Sequence, residues 1–146
     1  PERARVVPSR EFHLSEFTTA REENEILVAI EVPPQPAGTR SAYRCFGHTE
    51  RPAVGVAAVW SLNGPKRLNL WTGAITATPQ PLTDTEEAAN TLAADLPHEE
   101  VWAHLAPVLA AEAARIEAHD DLHGSADYKR HLVSVLAQRA LNACLV

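Results

Sequence analysis

A change of period at Pro79 to Pro81 constrains this chain more than any other feature. Ahead of it, apolar residues run together or alternate; beyond it they recur every three to four positions. The first pattern belongs to strands and the second to amphipathic helices. Ile26–Val32 reads as a strand ended by Pro33-Pro34, which cannot continue a hydrogen-bonded ladder. Further strands are expected at about Arg40–Phe46, Val54–Leu62 and Arg67–Thr76. Asn63-Gly64 accepts the positive φ angles of a tight hairpin, so the last two should pair antiparallel. In the last, Leu68, Leu70 and Thr72 alternate with Asn69, Trp71 and Gly73, giving the sheet two unlike faces.

After the period change, Thr83-Asp84-Thr85-Glu86 has the spacing of a capping box, opening a short helix to about Ala94. A second helix is expected from His98 to Glu117, with Trp102, Leu105, Leu109, Ala113 and Ile116 on one stripe and a kink or break at Pro107. A third, about Ser125–Leu145, sets Tyr128, Leu132, Leu136, Ala140 and Cys144 on one face. Strands first and helices after predict an α+β fold, an antiparallel sheet of three to four strands packed against three helices. Residues 1–25 form a charged arm, in which Phe12, Leu14 and Phe17 are the residues able to pin it to the body, and residues 26–146 a single domain. The arm's carboxylates, such as Glu22 and Glu23, read as solvated.

Thirteen Lys and Arg against nineteen Asp and Glu give a net charge of −6, with no basic cluster. That balance argues against nucleic acid or an anionic membrane as partner. No apolar run approaches the roughly 18 residues that span a bilayer, and no signal-peptide pattern opens the sequence. Cys45 and Cys144 match no metal or redox spacing and are expected to be reduced, buried thiols in a cytoplasmic protein. No methionine occurs. Two expectations stay open: an initiator removed ahead of Pro1, or a piece of a longer protein.

Several segments together resemble one family. Asp120-Asp121-Leu122-His123-Gly124-Ser125-Ala126-Asp127-Tyr128-Lys129-Arg130-His131-Leu132 is similar to the D-D-x-R-G-S-A-x-Y-R-x-x-L signature near the end of the flavin-binding (medium) subunits of molybdenum hydroxylases, the carbon monoxide dehydrogenase and xanthine dehydrogenase relatives. Arg5-Val6-Val7-Pro8 with Phe12, Phe17, Thr19 and Ala20 resembles the segment closing the family's flavin domain, and Glu25-Ile26-Leu27 the opening of its C-terminal domain. Tyr43-Arg44-Cys45-Phe46, Val54-Gly55-Val56-Ala57-Ala58 and Gly73-Ala74-Ile75-Thr76-Ala77-Thr78-Pro79 fit later segments. The sequence departs from the pattern at His13, Ser15 and His123, where phenylalanine, glycine and arginine are usual.

The resemblance implies a C-terminal domain that covers FAD and contacts a flavin domain and iron–sulfur and molybdopterin subunits, without chemistry of its own. The glycine-rich segments that wrap the flavin diphosphate in the family have no counterpart among the six glycines here. No cofactor is therefore expected to be held by this chain alone, since backbone amides of such loops are what neutralise a pyrophosphate.

Candidate site residues are few. His119-Asp120-Asp121-Leu122-His123 has donors for a metal, but histidines four apart chelate only on a helix, and Gly124-Ser125 mark this stretch as the loop before one. The aspartates are read as helix caps, and no metal is expected. Tyr128, Arg130 and His131 are candidates for an interface or ligand edge. Tyr43, Trp60 and Trp71 are expected to line an apolar pocket between sheet and helices, a partner patch, or plain core. No nucleophile–base pattern is legible. A second reading stays open: a stand-alone derivative binding a small hydrophobic ligand, as a binding protein or a cofactor-free cyclase or isomerase in secondary metabolism. A third is a structural module that forms a homo-oligomer.

Overall fold

The computed structural model describes residues 4–48, 51–62, 67–93 and 95–145. The protein divides into two compact units, Pro1–Pro34 and Gln35–Val146.

The first unit is more ordered than its composition suggests. A one-turn helix α1 (Ser9–Phe12) leads into β1 (His13–Ser15), which pairs antiparallel with β2 (Thr18–Thr19). Leu14 and Phe17 are exposed. Arg5 donates from Nε and Nη2 to the two Glu25 carboxylate oxygens at 2.6 and 2.7 Å, a forked pair that closes this stretch into a loop. Glu25 also accepts from the Glu22 amide at 2.8 Å. The Arg5 guanidinium, and then that amide, hold the Glu25 carboxyl at about 2 against an ordinary 4.5. A carboxyl depressed by folding stabilises the clasp fully above its ordinary value and loses that contribution as pH falls through the folded one. The clasp should therefore be intact at pH 5 and opened below about pH 2, seen as an acid-range shift of the Glu22 amide and Glu25 carboxyl NMR signals. A Glu25 titration at the ordinary carboxylate value would show that no clasp forms.

The expected strand at Ile26–Val32 is not one. This segment belongs to neither sheet, and Ile26, Leu27, Val28, Ile30 and Val32 are all exposed. Aliphatic, β-branched-rich sequence makes a backbone ready to pair, yet a strand exists only where a second backbone offers the complementary row of N–H and C=O groups. No described segment does so here.

The second unit holds the expected architecture. Strands β3 (Thr39–His48), β4 (Arg51–Ser61), β5 (Leu68–Gly73) and β6 (Gln80–Pro81) form one antiparallel sheet in sequential order, with β3 at one end. Helices α2 (Thr83–Thr91), α3 (His98–Ala114) and α4 (Ala126–Leu145) follow. α4 lies on β3 and β4, α2 on β5, and α3 packs against both α2 and α4. Between sheet and helices sit Val54, Val56, Ala58, Leu68, Leu70, Leu105, Leu109, Leu136 and Leu141, all buried. Each fully buried leucine contributes about 1.5–3 kcal/mol. The alternation along β5 is as expected, with Leu68, Leu70 and Thr72 inward and Asn69, Trp71 and Gly73 less buried.

Three local expectations are corrected. α3 runs unbroken through Pro107, its buried stripe starting at Val101, with Trp102 only half-buried. The capping box does not form: no side-chain group of its own segment caps α2. Instead Glu112 of α3 accepts from the Asp84 and Thr85 amides at 2.9 and 3.0 Å and from the Thr85 hydroxyl at 2.7 Å. That frees the buried Glu86 to accept from the Leu70 amide of β5 at 2.8 Å. Cys144 is buried as expected, but Cys45 is exposed, because its position on β3 points away from the helices; both thiols are free. The Asn63-Gly64 turn and Ala94 lie outside the described residues. No described helix is long and apolar enough to cross a membrane.

Candidate functional site

The segment entering α4 is held by nearly every polar group it contains. Asp120 accepts from the Ala126 amide at 2.7 Å and Ser125 from the Tyr128 amide at 3.2 Å, which caps the helix. Asp121 accepts from the His123 amide at 2.8 Å and pairs with the Lys129 ammonium at 2.7 Å. Lys129 is buried and also donates to the His119 carbonyl at 2.8 Å. The lysine hydrogen bond, then the His123 amide, push the Asp121 carboxyl below its ordinary range. Arg130 donates to the Ile116 carbonyl at 2.8 Å and pairs with Asp127, tying α4 to the end of α3. Gly124 has φ +139, and a Cβ there would stand 2.9 Å from the Tyr128 ring, so only glycine fits. Among the described residues, no cluster able to hold a metal ion occurs.

This brace leaves a small apolar edge in solvent. Leu122 is fully exposed at the turn, Tyr128 is 42% exposed, and the Tyr128 ring meets Phe46 edge-on at 6.0 Å. His131 is exposed on α4. The structure thus gives Tyr128 and Arg130 separate tasks, an aromatic contact and a helix tie, and does not gather them with His131 into a polar cluster.

Tyr43, Trp60 and Trp71 are likewise divided. Register sets Tyr43 opposite Ala57 and Ala57 opposite Trp71, a row of three across β3, β4 and β5. This row lies on the face turned away from the helices. Trp60 pairs with Leu68 on the other face, buried in the core under the Arg67 guanidinium, 5.8 Å from its ring. Among the described residues, Trp60 belongs to the buried cluster between sheet and helices, the core reading of the three left open. The outer face is different. Tyr43 is 56% exposed and Trp71 half-buried, with Gly55, Ala57 and Gly73 between and beside them. A Cβ at Gly55 would lie 2.3 Å from the Tyr43 hydroxyl, so the end of the Tyr43 side chain lies over the Gly55 backbone. That shielding, with the Cys45 thiol adding to it, pushes the Tyr43 phenol above its ordinary value. It stays neutral at physiological pH.

The three helices of this unit start in acidic surroundings. Glu112 occupies the start of α2, Glu99 and Glu100 stand in the first turn of α3, and Asp120 caps α4. These carboxylates take the place an anion would seek at a helix N-terminus. A groove of about 320 Å³ runs along Gln80, Leu82, Glu112, Arg115 and Glu117. Its Arg115 pairs with Asp84, and its Glu112 is the α2 cap.

Sequence reasoning missed Lys129, Phe46, Gly55 and Glu112. Only Lys129 left a signal: it falls on the buried stripe one position from Tyr128, three before Leu132.

No family model matches the sequence. The carbon monoxide dehydrogenase medium chain of Hydrogenophaga pseudoflava is 31% identical over 147 residues, covering 98% of this chain and 49% of the relative. That of Afipia carboxidovorans is 30% identical, covering 97% and 48%. The chain spans about half the length of the curated relatives it matches. Among solved structures, a carbon monoxide dehydrogenase from Hydrogenophaga pseudoflava superposes with a TM-score of 0.79 at 30% identity, over 96% of this chain and 48% of that one. Quinoline 2-oxidoreductase from Pseudomonas putida 86 shares the fold with a TM-score of 0.78 at 20% identity, over 97% and 48%.

Proposed function

We propose, for a protein that belongs to the family of C-terminal domains of carbon monoxide dehydrogenase medium subunits, that it covers an FAD held by the other half of the medium subunit. The observation that carries this reading is the outer sheet face, where Tyr43 is exposed, Ala57 and Trp71 are half-buried, and Gly73 stands beside Trp71, with Tyr43 itself lying over Gly55. Small residues between two aromatic side chains give a flat, apolar seat on which a planar ring can stack.

The fit is to a ring and not to a whole dinucleotide. A diphosphate needs convergent amides or cations, and the helix N-termini of this unit already face carboxylates. The phosphates are thus assigned to the other half, and FAD supplies the redox chemistry there. This chain's residues exclude water from one side of the ring and fix its position. The neutral Tyr43 phenol does this without adding charge beside it. The braced edge at Leu122, Phe46 and Tyr128 is assigned to a neighbouring subunit, with Asp121, Lys129 and Arg130 acting as positioning residues. The alternative of a small hydrophobic ligand between sheet and helices is less supported, since the described apolar residues there pack into one buried cluster.

The test is a medium subunit containing this domain, loaded with FAD. Tyr43→Ala should uncover the ring, raising flavin fluorescence severalfold and speeding quenching by iodide, while the FAD content stays near one per subunit. Unchanged fluorescence and quenching would exclude the outer face as the flavin cover.

A further inference from the structure

The stretch Ile26–Val32 has a second meaning beside its failure to form a strand. Over seven residues it carries six apolar side chains and one charge, Glu31, and ends at Pro33-Pro34. Ile26, Val28, Ile30 and Val32 are 77–82% exposed and Leu27 is 59% exposed. In extended form it reaches about 23 Å, the length of an ordinary strand. Among the described residues it is a continuous aliphatic row without a ladder partner, an arrangement at odds with water.

We infer that Ile26–Val32 is a donated strand. It adds to the edge of a sheet in the half of the medium subunit that these 146 residues do not match. The inference rests on the family reading above, and deepens it by naming the contact that joins the two halves. Two observations choose this occupant. The relatives are about twice as long as this chain, so a body of similar size is available to receive the strand. A second copy fits poorly. Antiparallel self-pairing centred on Val28 sets Glu25 opposite Glu31 twice, and centring on Ala29 sets Glu31 against Leu27 twice. Like charges directly opposite destabilise a ladder, and an unpaired carboxylate on an aliphatic residue gains nothing. Addition to another sheet needs only backbone hydrogen bonds and an apolar face for Ile26, Val28, Ile30 and Val32. A cation on the receiving strand opposite Glu31 completes it.

The experiment mixes this chain with the unmatched half of the Hydrogenophaga pseudoflava medium subunit, purified with FAD bound so that its folding is independently visible. Hydrogen exchange is read by NMR. We expect a complex in which alternate amides within Ile26–Val32 slow at least tenfold, because one edge is paired and the other free. Val28→Lys and, independently, Ala29→Pro should weaken the complex at least tenfold while leaving the thermal unfolding of this chain unchanged, since both positions are exposed. Failure to bind the FAD-loaded half, a complex with these amides unprotected, or protection in this chain alone through self-association would each overturn the inference. Tyr43→Ala separates the two readings. Protected amides with flavin fluorescence indifferent to Tyr43 would support the donated strand and remove the flavin-cover role alone.

Discussion

Lys129→Ala should lower the unfolding free energy by about 2–3 kcal/mol, the scale of removing a buried ammonium that satisfies a half-exposed carboxylate and a backbone carbonyl. The side chain is 3% exposed and its ammonium serves both the Asp121 carboxylate and the His119 carbonyl. Its partner Asp121 is about half exposed, so water recovers part of the loss and the effect stays below that of a fully buried pair. Urea denaturation followed by circular dichroism measures it. A change under about 0.5 kcal/mol would mean that the brace at the α4 entrance contributes nothing to stability. The pH dependence has a fixed sign. Folding lowers the Asp121 carboxyl below its ordinary 3.8, so its share of stability is complete above that value and fades as pH falls through the folded one. Asp121→Asn should flatten this acid limb and leave stability near neutral pH reduced.

Glu112→Ala is expected to cost about 2–3 kcal/mol, because it strips the acceptor from two amides and one hydroxyl at the start of α2. Thr85 is fully buried, so its orphaned groups have no water to turn to. Glu112→Gln keeps one carbonyl acceptor and should recover about half of the loss. Hydrogen exchange of the α2 amides would locate the damage; loss spread evenly over α4 would show that the carboxylate is not a cap.

How far the sequence discloses this fold depends on how far each interaction reaches. The alternation Leu68, Leu70, Thr72 needs only its own residues and one buried face, so it is legible. The α2 cap is not, because its acceptor stands 27 residues away on another helix, whereas the local Glu86 offers the familiar spacing. The tryptophans show what one residue of register does. A two-residue turn at Asn63-Gly64 would set Trp60 opposite Arg67 and place it on one face with Trp71. The observed partner is Leu68, one position along, and that slip exchanges the faces. Ile26–Val32 misleads for the opposite reason. Its side chains are those of a strand former, but pairing is a property of two segments. Of the candidate site, the family resemblance is legible from ordered short motifs. The outer face is not, because it takes shape only when Tyr43, Gly55, Ala57 and Trp71 are aligned across three strands.

The ten-residue β3 closes one end of its sheet with a neighbour on a single side. A border that long ordinarily invites fibre growth, one molecule laying its backbone against the next. Here Arg40 and Arg44 are spaced along it, so every approaching copy must bring the same cations into line. The border is thereby electrostatically policed, and colloidal stability should be poorest in concentrated salt, where that repulsion is screened.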